Sequence, residues 1–144
     1  MTDEQKLKTV QLYYAAALAD SVLRYGRAGI LSDVTAQKRE EQLSTGVALA
    51  ERLGVKSPQD AFLKTADIFG CADWVCEDTA DGFTAAANHC MLCSISKRMG
   101  EYSPCSIYCL SPMEAALKGV APEAKFNVTA TLWDSDMCKV NVSY

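Results

Sequence analysis

The chain has 144 residues, a length that suits one domain and buries a core without disulfide staples. Its 49% hydrophobic and 22% charged residues are ordinary globular proportions. With a net charge of −4 and no continuous Lys/Arg stripe (Lys38-Arg39 and Lys97-Arg98 are isolated pairs), a nucleic-acid partner is excluded. The polar, acidic start carries no basic-then-apolar leader, and no apolar run approaches the ~20 residues of a membrane helix, so the expectation is a cytoplasmic protein without a membrane partner.

Residues 1–70 read as about three helices. Leu7, Val10, Tyr14, Ala17, Leu18 and Val22 recur at helical spacing from a start near Thr2-Asp3, and Gly26 and Gly29 interrupt the pattern. A second helix is predicted after Ser32-Asp33, carrying Leu43, Val47, Ala50 and Leu53 and ending at Gly54. Ser57-Pro58-Gln59-Asp60 supplies a cap, a proline and a first-turn carboxylate for a third, which stops at Gly70. The apolar stripes of these helices suit a core or a homo-oligomer surface, such as a homodimer.

The period changes after Gly70. Strands are predicted from 73 to 79 and from 83 to 89 around the Asp81-Gly82 turn. A second hairpin closes the chain: Phe126, Val128, Ala130 and Leu132 alternate with polar residues, Asp134-Ser135-Asp136 turns, and Cys138, Val140 and Val142 share the inward face. Between the hairpins lie two short helices. One runs from His89 to Met99 with Asn88 as its cap, and the other starts from a capping box at Ser111-Pro112-Met113-Glu114. The predicted fold class is α+β: N-terminal helices followed by a ββααββ unit with a four-stranded, mainly antiparallel sheet, in one domain spanning 1–144 (helical 1–70, cysteine-rich 71–144).

Seven cysteines stand out: Cys71, Cys76, Cys90, Cys93, Cys105, Cys109 and Cys138. An odd number in a reducing compartment argues against a disulfide framework. Cys90 and Cys93 share a helix face in a first turn, where the helix dipole favours thiolate. Ser103-Pro104 starts another turn that sets Cys105 and Cys109 on one side, and Cys138 points inward from the last strand. Convergence of Cys90, Cys93, Cys105, Cys109 and Cys138 on one site between helices and sheet is therefore expected. The Cys-x2-Cys and Cys-x3-Cys pairs suit an iron–sulfur cluster or zinc. A metal-binding protein with a redox or sensing role is the leading expectation. A thiolate nucleophile and plain buried packing are the alternatives, as is a module that senses a small-molecule ligand.

His89, the single histidine, is a candidate base or extra ligand beside Cys90. Asp136 is the first candidate for a hydrolytic base and Glu77 the second. Asp73, Glu77, Asp78 and Asp81 read as a solvated acidic hairpin. Cys71 and Cys76 differ in strand parity, which sends at most one of them to the core.

His89-Cys90-Met91-Leu92-Cys93, the Tyr108-Cys109 step and Thr131-Leu132-Trp133-Asp134-Ser135-Asp136-Met137-Cys138 resemble the L-2-amino-thiazoline-4-carboxylic acid hydrolase-like family over about residues 83 to 143. A looser likeness exists to small-molecule-binding domains of the 4-vinyl reductase type. The resemblance places Cys90, Cys109 and Cys138 at the family's three cysteine positions, and it implies hydrolysis of a cyclic C–N bond by Cys90 or Cys109 with His89 or Asp136 assisting. Met91 stands where the family pattern has proline, Pro112 where it has an acidic residue, and Cys93 and Cys105 are additions.

Overall fold

The computed structural model describes all of residues 1–144. It is α+β, with the helices first and a four-stranded antiparallel sheet after them, as the change of period predicts. Four helices, not three, fill the first part: α1 (Asp3–Arg27), α2 (Leu31–Ser44), α3 (Gly46–Leu53) and α4 (Asp60–Phe69). Helix α1 opens on a capping box in which Thr2 Oγ1 accepts the Gln5 N–H at 3.2 Å and Gln5 Oε1 accepts the Thr2 N–H at 2.8 Å. It runs through Gly26 and stops only at Arg27. One glycine costs a helix about 1 kcal/mol, and packing outweighs it: the Tyr102 ring lies against Gly26 where a side chain would sit.

The single predicted helix after Ser32 is two. The chain bends at Thr45, whose hydroxyl turns back to the Glu41 carbonyl, and α3 then packs against α6 (Ser111–Val120) through Gly46 and Gly119. The backbones approach so closely there that a Cβ on either glycine would collide with the facing chain. Gly54 and Gly70 close α3 and α4 in the left-handed conformation, with φ of 72° and 64°. Helix α4 begins at Asp60 rather than at Ser57-Pro58. Its carboxylate accepts the N–H groups of Lys56 and Ser57, at 2.9 and 3.2 Å, and so closes the turn before the helix.

The sheet order is β1 (Val75–Thr79), β2 (Gly82–Ala87), β4 (Cys138–Ser143), β3 (Lys125–Ala130), antiparallel throughout. The alternation along the two central strands buries one face only. Phe83, Ala85 and Ala87 of β2 and Cys138, Val140 and Val142 of β4 point inward, while Lys139 and Asn141 face out. Over the buried face lie α4, α5 (Met91–Met99), a π-helical segment (Cys105–Leu110) and α6. Phe62 of α4 occupies the centre. It meets Trp74 and Phe83 edge-on, with ring centroids 5.1 and 5.8 Å away, and stacks on Phe126 at 5.8 Å. No helix is long and apolar enough to cross a membrane.

Candidate thiolate site

Cys90 caps α5. Its backbone is extended and its Sγ accepts the N–H of Cys93 at 3.4 Å, so the cap falls on Cys90, two residues beyond the predicted Asn88. The loop before it is folded by Asp73, whose Oδ1 accepts the N–H groups of Asn88 and His89, both at 3.0 Å. These bonds hold the Asp73 carboxyl below its ordinary range. Asp73 thus keeps the solvated position expected of it and in addition acts as a structural acid that ties down the loop.

The segment entering β1 also pairs with the start of α5. Ala72 bridges Cys90, and the Met91 N–H donates to the Cys71 carbonyl at 2.7 Å. Cys71 therefore precedes the strand and parity does not govern it. Both Cys71 and Cys76 pack half-buried against the core, contrary to the expectation that at most one would. Burial raises each thiol to about 11.

Ser103-Pro104 does start a helical turn, but a wide one. The π-helical segment runs without a break into α6, so Ser111 lies inside a continuous spiral and makes no side-chain cap. The wider spiral swings Cys105 and Cys109 towards α5 and β4. Cys138 follows, inward from β4 as the alternation requires, with its Sγ accepting the Leu132 N–H at 3.2 Å. Lys97 holds the intervening loop by donating to the Leu132 carbonyl at 2.6 Å and lying over the Trp133 ring.

Cys90, Cys93, Cys105, Cys109 and Cys138 consequently line one cavity, with Ala72, Trp74, Leu92, Pro104 and Leu110 completing its wall. All seven cysteines are free thiols. The space between the five is about 10 Å³, the room of a single water-sized sphere. In this arrangement no three His, Cys, Asp or Glu side chains are set in metal-holding geometry.

The electrostatics differ sharply among the five. Burial pushes the Cys109 thiol well above its ordinary value, and the nearby sulfurs of Cys90, Cys105, Cys138 and Cys71 push it further. Burial likewise raises Cys90, and Cys138 to about 11. Cys105 goes the other way, to about 6. The Cys93 thiol donates to it first of all, and burial opposes; the Ser103 and Thr131 side chains and the Trp133 backbone supply further hydrogen bonds. Cys93 correspondingly resists losing its proton.

His89 is exposed. It lines a small polar recess with Cys90, Cys93, Ser94 and Lys97 at the outer edge of the cluster. Asp136 is exposed in the loop before β4, and Glu77 is exposed on β1; neither lines the sulfur cavity. The donors around Cys105, namely Ser103, Thr131 and Trp133, escape sequence reasoning because they come from two loops that only the fold brings together. Comparison with protein-family models, curated protein sequences and solved structures returns no match.

Proposed function

We propose that this protein binds a soft metal ion through cysteine thiolates. The convergence of five sulfurs from the α5 cap, α5, the π-helical segment and β4 on one buried space carries the reading. Thiolate is the ligand type that zinc and iron–sulfur centres select. Two of the sulfurs already accept backbone N–H bonds, which stabilise a bound thiolate. Burial chiefly raises Cys90, Cys109 and Cys138 and the neighbouring sulfurs add to it; a cation between them offsets both effects. Four of Cys90, Cys93, Cys105, Cys109 and Cys138 form the ligand set, and binding draws their sulfurs together. A space of about 10 Å³ suits one ion, hence zinc, better than a multi-atom iron–sulfur cluster. The centre has a structural or redox-sensing role.

The test is anaerobic purification followed by elemental analysis and an absorption spectrum. Zinc at about one equivalent per chain, lowered by Cys93→Ser and Cys138→Ser, is the expected result. Iron with sulfide and a brown colour would replace zinc by a cluster at the same thiolates. Folded, metal-free protein whose thiols all titrate and whose melting temperature ignores added zinc would refute the reading.

A second reading is favoured by the donors gathered at Cys105: a thiolate nucleophile. It moves the reactive sulfur of a hydrolase from Cys90 or Cys109 to Cys105. Turnover of a cyclic amino-thiazoline carboxylate that survives metal removal and disappears in Cys105→Ser would favour it.

A further inference from the structure

Beside the sulfur cluster, and separated from it by Cys90 and Cys109, lies a second and larger space. This chamber of about 200 Å³ is lined by residues of all six helices, the π-helical segment and the stretch from Cys71 to Trp74. Its walls are mostly apolar, with Leu18, Leu49, Leu53, Phe69, Trp74 and Met113 prominent. A cavity of about 150 Å³ already takes benzene, so this one holds a ring with a short polar head.

Two polar groups in the wall bear on what it could hold: an ammonium group whose contact is an aromatic ring, and a buried amide oxygen with no partner. Lys38 makes no ion pair, although its neighbour Arg39 is paired with Glu114 at 2.7 Å. Its Nζ lies 5.5 Å from the centre of the Tyr108 ring, and that ring is held in place by a 2.7 Å hydrogen bond between the Tyr108 and Ser21 hydroxyls. One turn along α2, Gln42 Oε1 is buried with no hydrogen-bond partner. A buried acceptor left unpaired costs roughly 1–3 kcal/mol, a cost that a bound donor removes. Of the other polar side chains in the wall, Thr65 donates to the Ala61 carbonyl at 2.6 Å, while Tyr14 stacks its ring on Phe69.

We propose that this chamber is a binding site for a small organic acid with an apolar, ring-sized body. Its carboxylate pairs with Lys38, its O–H or N–H donor satisfies Gln42 Oε1, and its body fills the space between Leu49, Phe69, Trp74 and Met113. The charge on Lys38 selects an anion over a neutral or cationic ligand. Gln42 selects a hydroxy or amino acid over the simple acid, because only the former meets the orphaned oxygen. Occupancy seats the ligand against Cys90 and Cys109, the two residues whose sulfurs serve both spaces. The site stands on the chamber and its two polar groups, and holds whether or not the thiolates carry metal.

Three probes decide the matter on the full-length protein by titration calorimetry: phenyllactate, hydrocinnamate (which lacks the hydroxyl) and phenylethanol (which lacks the carboxylate). Phenyllactate binds saturably, and phenylethanol binds about tenfold or more weaker, the loss of one charge-assisted contact. Lys38→Met weakens phenyllactate by a similar factor while Lys38→Arg keeps most of the affinity. Gln42→Leu erases the preference for phenyllactate over hydrocinnamate. Thermal melts without ligand establish that these variants fold, and the three-ligand comparison on the unaltered protein stands without them. Absence of saturable phenyllactate binding overturns the proposal, as does equal affinity for phenylethanol or indifference to Lys38→Met.

Discussion

The Sγ of Cys90 accepts the backbone N–H of Cys93 at 3.4 Å, so one thiol both caps a helix and faces the other sulfurs. Helix α5 spans only nine residues and depends on its cap more than a long helix does. Cys90→Ser keeps a cap acceptor and Cys90→Ala removes it. Cys90→Ala is therefore expected to cost about 1 kcal/mol more than Cys90→Ser in urea melts of the metal-free protein. Equal stabilities would mean that the sulfur contributes no cap.

Cys105 should be the first thiol to alkylate in reduced, metal-free protein. Its pKa lies near 6, whereas Cys71, Cys76 and Cys138 lie near 11. Iodoacetamide labelling followed by peptide mapping should give a rate for Cys105 that rises with pH to a plateau, with its midpoint near 6. Thr131→Val removes one donor and moves that midpoint upward. Labelling that starts at Cys138 would contradict the assignment.

The same shifts set the pH dependence of stability, and the two signs oppose. Cys105 ionises more easily folded than unfolded, so its contribution is complete above the ordinary thiol value of 9.0 and is lost as pH falls through about 6. Cys71, Cys76 and Cys138 keep their protons better when folded. Their contribution is complete below 9.0 and is lost as pH rises towards about 11. Several groups act on the alkaline side and one on the acid side. Melting temperatures of reduced, metal-free protein should fall steeply above pH 9, and Cys76→Ala should soften that fall. A flat profile from 9 to 11 would contradict the burial of these thiols.

Phe62 is fully buried and touches the rings of Trp74, Phe83 and Phe126. Truncation to alanine leaves a cavity between α4 and the sheet and is expected to cost about 3–5 kcal/mol. Phe62→Leu, which refills most of the space, should cost markedly less. Chemical denaturation of both variants gives the comparison, and a Phe62→Ala loss below that of Phe62→Leu would place the core elsewhere.

Local patterns made much of this architecture legible. The Asp81-Gly82 turn and the alternation of Cys138, Val140 and Val142 describe strands that the sheet contains, in the chain order expected of them. Gly54 and Gly70 mark helix ends because left-handed backbone suits glycine above all other residues. Inward orientation of Cys138 followed from period two alone. By contrast, the bend at Thr45 was invisible, since it serves a contact between Gly46 and Gly119, 73 positions apart in sequence. The second role of Asp73 was invisible too: it is solvated as expected, yet it also folds the loop that places Cys90.

What the sequence by itself determined is the order of helices then hairpins and the inward or outward sense of side chains along the two central strands, because these depend on neighbours within a turn or two. What only the tertiary structure decided is which sulfurs meet and what state each is in. A π-helical turn instead of a tighter one carries Cys105 and Cys109 into the space that Cys90, Cys93 and Cys138 border. The Cys93 thiol, and after it donors from two separate loops, then make Cys105 acidic while burial raises Cys109 beside it. Thiol ionisation responds to dielectric and hydrogen bonds within a few ångströms, and that environment exists only once distant segments have packed.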